Sequence, residues 1–370
     1  MRRVPVLVSC VLFAAGLPAA SGAVPNRVTP AVPARLEVAF VLDTTGSMGG
    51  LIDGAKRRIW AIARQIAEGR PRPDLRIALV AYRDLGDAYV TRVFDFSGDM
   101  DTVYQNLMSF QAGGGGDTPE HVSRALSDAV HAVSWSSGQA VKVIFLVGDA
   151  PPHLDYQDGF DYRRHLVEAR QKGIAVETIQ CGNDAHTDRV WREIAALGDG
   201  HYARIDTQGG MPALVTPMDG ELAKLNTELA STVVATGTLA EQSATTRKLE
   251  ARKAMAAPMA TEAAGYFAGG GRLAEKDAVA LPAPAQRQLL ADMKKDQSQV
   301  PAALKGKSEE EALAYLKTQK ERRDKIQARI LTLQQQREKH LQTQTASADG
   351  FDAQVVQSLK ARAAKQGIAY

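Results

Sequence analysis

Cysteine is almost missing from this chain. The 370 residues hold two, Cys10 and Cys181. Cys10 falls in an N-terminal apolar segment that reads as removable, which leaves one thiol and excludes an internal disulfide framework. Cys181 follows the apolar run 174–179 and reads as a buried structural thiol. An excess of one charge is missing as well: 45 basic against 42 acidic residues give no bulk reason to bind nucleic acid. The glycine-rich segment 113–116 has no Gly-Lys-Ser/Thr ending and no Gly-x-Gly-x-x-Gly after a strand, so it is not a phosphate loop. The apolar run 4–17 is shorter than the ~20 residues of a membrane-spanning helix. Nor does composition indicate disorder: 45% hydrophobic and 24% charged suit one sizeable core and a smaller second module.

The first residues have a pattern of their own. Met1-Arg2-Arg3 is a basic start, 4–17 is apolar, and 19–23 offers small residues for cleavage. That is the pattern of a secretory signal peptide over 1–23, and it sets the expected location as extracytoplasmic, either periplasmic or secreted. A proline-containing linker, 24–34, follows. Charge then divides the chain: residues 24–240 hold 21 basic against 27 acidic side chains, and residues 241–370 hold 22 against 15. The asymmetry separates two modules, and it suits docking of the basic half onto the acidic one or onto an anionic surface.

The acidic half is organised around Asp43-Thr44-Thr45-Gly46-Ser47-Met48-Gly49. Leu36, Val38, Ala39, Phe40, Val41 and Leu42 form a near-continuous apolar run, as in a parallel strand covered on both faces. Leu51, Ile52, Ala55, Ile59, Ile62, Ala63 and Ile66 then recur at helical spacing. One carboxylate and two hydroxyls therefore crowd a strand-to-helix turn, where open α/β sheets bind ligands. Oxygen-only donors of this kind suit Mg²⁺, Mn²⁺ or Ca²⁺ rather than zinc. Taken alone, the segment also reads as a capped helix start.

Further strands are expected at 75–82, 89–96, 141–147, 174–180 and 201–205, and helices at 99–110, 119–133 (Pro119 in the first turn, Thr118 as cap), 159–172, 187–197 and 210–235. The alternation predicts an α/β fold with a doubly wound, mostly parallel sheet over 35–235. After it come an alanine-rich helical extension (236–267), a loose linker (268–307) and a charged helical or coiled-coil-like region (308–370). In that last region Leu316, Ile326, Ile330, Leu333 and Leu341 mark one face, interrupted by Lys320, Arg323 and Arg337. Two more loops carry acidic groups: Asp117-Thr118-Pro119-Glu120 after the glycines, and Gly148-Asp149-Ala150-Pro151-Pro152-His153 after the most apolar strand.

Together, Asp43-x-Thr45-x-Ser47, Asp117-Thr118 and Asp149, in that order, resemble the von Willebrand factor type A domain and its metal-ion-dependent adhesion site, in the style of secreted and microbial members. The resemblance implies a Rossmann-like fold over about 35–235. It implies that Thr45 and Ser47 are hydroxyl ligands, that Asp43 and Asp149 hold the ion directly or through water, and that Thr118 or Asp117 supplies a loop ligand. Mg²⁺ is the expected ion, with Met48, Glu120 and His153 on a partner-binding rim. The function implied is a non-enzymatic adhesion module whose ion takes a carboxylate from a protein partner.

Two other readings use the same residues. In one, the protein is a structural or assembly factor that works through its C-terminal helices, with the ion stabilising the domain. In the other it is a Mg²⁺-dependent hydrolase, which is disfavoured because no Lys or Arg stands beside Asp43 to bind phosphate and no Ser-His-Asp set assembles. Arg83-Asp84 reads as an ion pair at the sheet's end.

Overall fold

The computed structural model describes residues 35–206, 215–342 and 351–370; the expected signal segment and linker, 1–34, lie outside them. Six strands make one sheet in the order β3-β2-β1-β4-β5-β6: β1 (Arg35–Asp43), β2 (Asp74–Tyr82), β3 (Thr91–Ser97), β4 (Ala140–Gly148), β5 (Ile174–Cys181) and β6 (Tyr202–Ile205). Of these, β3 alone runs antiparallel, on the edge beside β2. The expected doubly wound, mostly parallel sheet is thus the observed one. Its central strands are apolar on both sides because both faces are covered: Leu36, Val38, Phe40 and Leu42 of β1 enter one core, Ala39 and Val41 the other.

Helices α1 (Gly49–Ala67) and α2 (Met100–Met108) lie on the first face, and α3 (Val122–His131), α4 (Tyr162–Gln171) and α5 (Ala185–Leu197) on the second. Local chemistry starts several of them. Asp99, Asp161 and Asp184 each accept a hydrogen bond from a first-turn backbone N–H of α2, α4 and α5, satisfying donors that have no partner inside the helix. The helix expected over 210–235 is shorter, α6 (Asp219–Ala230); residues 207–214 lie outside the described ones.

The C-terminal third departs most from expectation. The alanine-rich stretch is two helices, α7 (Leu239–Lys253) and α8 (Ala257–Ala268). Pro258 sits in the first turn of α8, where its missing N–H is tolerated, whereas a helix continuing through it would lose a bond and clash. The expected linker 268–307 is structured: it holds α9 (Ala283–Lys295) and three short 3₁₀ turns. Val279, Leu290, Met293 and Leu304 from it join Leu316 in a small apolar cluster. The long charged helix is α10 (Glu309–Gln342), and α11 (Phe351–Ala364) follows.

These helices do not form a module apart from the sheet. Trp60 of α1 packs against Phe267 of α8, ring centroids 5.3 Å apart, and Phe351 of α11 lies 6.0 Å from Phe40 of β1. The described residues accordingly form one compact unit. Two of the arginines that interrupt the apolar face of α10 are its anchors. Arg323 is buried with Asp277 at 2.8 Å. Arg337 is buried between Asp219 at 3.0 Å and Glu262 at 2.7 Å. Of these partners Asp219 belongs to the acidic half, as do Asp99 beside Lys248 and Glu177 beside Arg362, whereas Asp277 and Glu262 come from the basic half itself.

Candidate metal centre

β1 ends at Asp43, which pairs in register with Tyr82 at the end of β2, and Gly148 ends β4 alongside. The apolar strands therefore deliver their polar terminal residues to one edge of the sheet. Asp43 is fully buried. Its Oδ1 accepts from the Thr45 backbone N–H at 2.8 Å and from the Thr45 hydroxyl at 2.7 Å, and the Thr45 and Ser47 hydroxyl oxygens are 3.4 Å apart. Thr44 has a separate task. Its hydroxyl donates to the Tyr82 carbonyl and meets the Tyr89 hydroxyl, clamping the turn to β2 and the loop before β3.

The glycine loop closes over this turn. Gly46 N–H donates to Gly114 O and Gly113 N–H to Thr44 O, while Gly115 N–H donates to the Asp87 carboxylate at 3.0 and 3.1 Å. Gly114 and Gly115 have φ of 76° and 78°, left-handed values that exclude most side chains. A β-carbon on Gly115 would lie 3.2 Å from that of Thr45 and 3.3 Å from Glu120 Oε1. The loop after β4 is tied in by Glu120 N–H to Pro151 O and His153 N–H to Glu120 O. All three loops singled out in the sequence thus meet at one edge.

What they enclose is an excess of buried negative charge. Asp43 Oδ2, Glu120 Oε2 and the Tyr82 hydroxyl are buried and have no hydrogen-bond partner. Burial pushes the Asp43 carboxyl up to about 7, against the lowering effect of the two Thr45 hydrogen bonds, and the Asp149 charge adds to the rise while Arg83 opposes it. Glu120 is pushed up to about 9, first by burial and then by Asp43, Asp84, Asp87 and Asp149. Carboxylate oxygens in this state take either protons or a cation. Carboxylates and hydroxyls without imidazole or thiolate are the donor set of a hard divalent ion. The residues therefore fit the cation expected from the sequence.

Three expectations about side chains are corrected. Met48 is no rim residue: it is 1% exposed and packed in the first core, because the 3₁₀ turn at Gly46–Met48 points it inward. Glu120 is buried in the site wall rather than exposed on a rim, and it is the loop carboxylate whose charge is coupled to Asp43 and Asp149. Arg83 and Asp84 are not a pair; the guanidinium donates to Thr44 O and Gln111 O, and Asp84 accepts from the Tyr156 hydroxyl at 2.6 Å. Asp117 and Thr118 are exposed, with Asp117 Oδ2 3.9 Å from His153 Nε2. The His153 side chain is itself only 7% exposed.

The sequence expectations give no site role to Asp87 or Tyr82 and make Asp84 only the ion-pair partner of Arg83. The signal for Asp84 and Asp87 was available, as Asp84-x-x-Asp87 directly after an apolar strand.

Residues 37–207 match the family model of the von Willebrand factor A domain. This segment is similar to the von Willebrand factor A domain over just under half of the chain. The chain is similar to von Willebrand factor A domain-containing protein 7 of rat, 38% identical over 128 residues, and of human, 37% identical over 128 residues. The match takes in 34% of this chain and 13% of those proteins. Among solved structures, proximal thread matrix protein 1 from the mussel byssus is similar at TM-score 0.38 and 14% identity, over 48% of this chain and 44% of that one. The von Willebrand factor A domain is in general a protein-interaction module. In this chain its sheet carries five further helices, α7 to α11, after α6.

Proposed function

We propose that the protein is an extracytoplasmic, metal-dependent protein-binding module without enzymatic activity. One observation carries the reading: two buried carboxylate oxygens, Asp43 Oδ2 and Glu120 Oε2, stand without partners at the carboxyl ends of the central strands. Asp43, Thr45, Ser47 and Asp149 would hold a divalent ion, Mg²⁺ first among the hard cations, with Glu120 beside them. When bound, such an ion neutralises these carboxylates and offers a coordination position to a carboxylate from a protein partner. Thr45 contributes by fixing Asp43 Oδ1 with two hydrogen bonds, which leaves Oδ2 as the free atom. Asp87 contributes by holding the Gly115 N–H, and so the loop that leads to Glu120.

The additional carboxylate of Glu120 makes the site more negative than Asp43 and Asp149 alone, which lowers the residual positive charge facing a partner. Partner affinity at this site would therefore be moderate. Titration calorimetry of Mg²⁺, Mn²⁺ and Ca²⁺ into metal-stripped protein tests the reading, beside the Asp43→Ala and Glu120→Gln variants. Asp43→Ala is expected to abolish binding while the protein stays folded. No heat of binding with any of the three ions in the wild type would overturn it.

A further inference from the structure

Beside the Asp43 site lies a second group of ligand atoms of different chemistry. Asp84 comes from the end of β2, Asp117 from the glycine loop and His153 from the loop after β4, and one atom of each lies within 4.8 Å of the others. His153 Nδ1 is 2.8 Å from Asp155 Oδ1, so in the neutral imidazole that makes this bond Nδ1 donates and Nε2 carries the lone pair. That lone pair is directed at carboxylate oxygens: Nε2 is 3.5 Å from Asp84 Oδ2 and 3.9 Å from Asp117 Oδ2. Nε2 is buried and makes no hydrogen bond, and the same holds for Asp84 Oδ1. These acceptors face one another across a gap walled by buried Asp84 and His153 and open on the side of Asp117, an arrangement that a cation between them would satisfy.

The surroundings hold these acceptors in place. Tyr156 stacks on the His153 ring, centroids 4.1 Å apart and planes 15° apart, while its hydroxyl donates to Asp84 Oδ2. One residue therefore positions two of the three groups and leaves Asp84 Oδ1 free. A carboxylate on the far nitrogen of a histidine is the usual outer support of a metal-binding imidazole; Asp155 stands there.

The contrast with the other histidine cluster is informative. At His131, His165 and Glu168 both imidazoles already bond Glu168 Oε2, at 2.8 and 3.0 Å. The Lys172 ammonium, 3.2 Å from His131 Nδ1, is a cation already at hand.

We propose that His153 Nε2, Asp84 and Asp117 form a second divalent-metal site, of transition-metal type, with Zn²⁺ as its preferred ion. One imidazole and two carboxylates suit a borderline ion better than Mg²⁺ or Ca²⁺. The site is separate from the one at Asp43 and does not depend on it. Its ion would tie Asp117, and with it the glycine loop, to the ends of β2 and β4.

The test uses metal-stripped full-length chain titrated with Co²⁺, whose visible absorption reports nitrogen and oxygen ligation, followed by displacement with Zn²⁺. The expected result is a Co²⁺ band that Zn²⁺ removes. This band is kept in Asp43→Ala, lost in His153→Gln, and weakened at least tenfold in affinity in Asp117→Ser. Because Asp117 is 65% exposed, that variant keeps its fold even if His153→Gln does not. Asp155→Asn, which alters only the support of the imidazole, is expected to weaken Zn²⁺ by ~10–100-fold. A Co²⁺ band unchanged in His153→Gln and Asp117→Ser, or lost in Asp43→Ala alone, would overturn the proposal. Absence of any Co²⁺ band in folded wild-type protein would do the same.

Discussion

Asp43 is held in a state that an isolated carboxyl would not choose. Its folded value of about 7 exceeds its ordinary 3.8, so between those values the folded protein binds a proton that the unfolded chain has lost. The stability from this group is complete below pH 4 and is lost as pH rises to 7; for Glu120 the loss continues from 4.5 to about 9. Metal-free protein is therefore expected to melt at progressively lower temperature from pH 5 to pH 9, and a saturating divalent cation is expected to flatten that slope. Thermal unfolding in chelator and in excess Mg²⁺ checks both. Asp43→Asn keeps an oxygen for the Thr45 donors and removes the titration, so at pH 8 the metal-free variant should be more stable than wild type. At ~1.4 kcal/mol per pH unit the gain has an upper limit of about 4 kcal/mol. A variant that melts lower than wild type in chelator at pH 8 would show that Asp43 is not carrying a buried charge.

Elements place these residues, and they do so through close approach. Gly148 ends β4 where a β-carbon would lie 2.4 Å from the Tyr82 hydroxyl oxygen and 3.0 Å from the Asp43 β-carbon. Gly148→Ala should therefore force β1, β2 and β4 apart, costing ~1–3 kcal/mol in denaturant unfolding and abolishing cation binding with no ligand removed. Away from the site, α7 is joined to α2 by a buried ion pair, Arg252 with Asp101. The guanidinium also donates to Leu273 O and lies over the Phe267 ring. Arg252→Met strands a buried carboxylate and should cost ~3–5 kcal/mol, while the double variant with Asp101→Leu should recover most of that. Equal destabilisation in the single and double variants would mean that α7 is held by packing alone.

The elements also mark how far the sequence could be read. Strands and helices of the sheet were legible because burial on two faces gives near-continuous apolar runs, and an acidic start such as Asp99 gives a boundary. The places of Asp43 and Asp149 at strand ends were legible for the same reason, since an acidic group closing a buried apolar run is costly unless it meets a cap or a ligand. The buried positions of Met48 and Glu120 were not, because local spacing does not say which way a short turn faces. Arg323 and Arg337 read as breaks in an apolar stripe, because a buried arginine is recognised only with its partners. Those partners, Asp277, Asp219 and Glu262, come from distant segments.

At the scale of the molecule, the sheet and the C-terminal helices share one core. Ala263, Phe267, Phe351, Val355 and Leu359 lie in the same cluster as Phe40, Trp60 and Phe145. A chain cut after residue 235 would expose that apolar face, and it is expected to aggregate or to lose cooperative unfolding. The full chain should unfold in one transition by calorimetry and by near-ultraviolet dichroism. A soluble 35–235 fragment with a sharp transition of its own would show that the domain boundary read from the sequence is also a folding boundary.

The seating of α11 has a consequence in time. Phe351 lies against Phe40 of the first strand, and the backbone of Ala369 exchanges hydrogen bonds with that of Arg70. During synthesis the central sheet emerges early, yet part of its cover is translated only with residues 351–370. A nascent chain that has not yet reached residue 351 therefore lacks the part of the core that Phe351, Val355 and Leu359 supply. Burial of Phe351 would then act as the late step that completes that core.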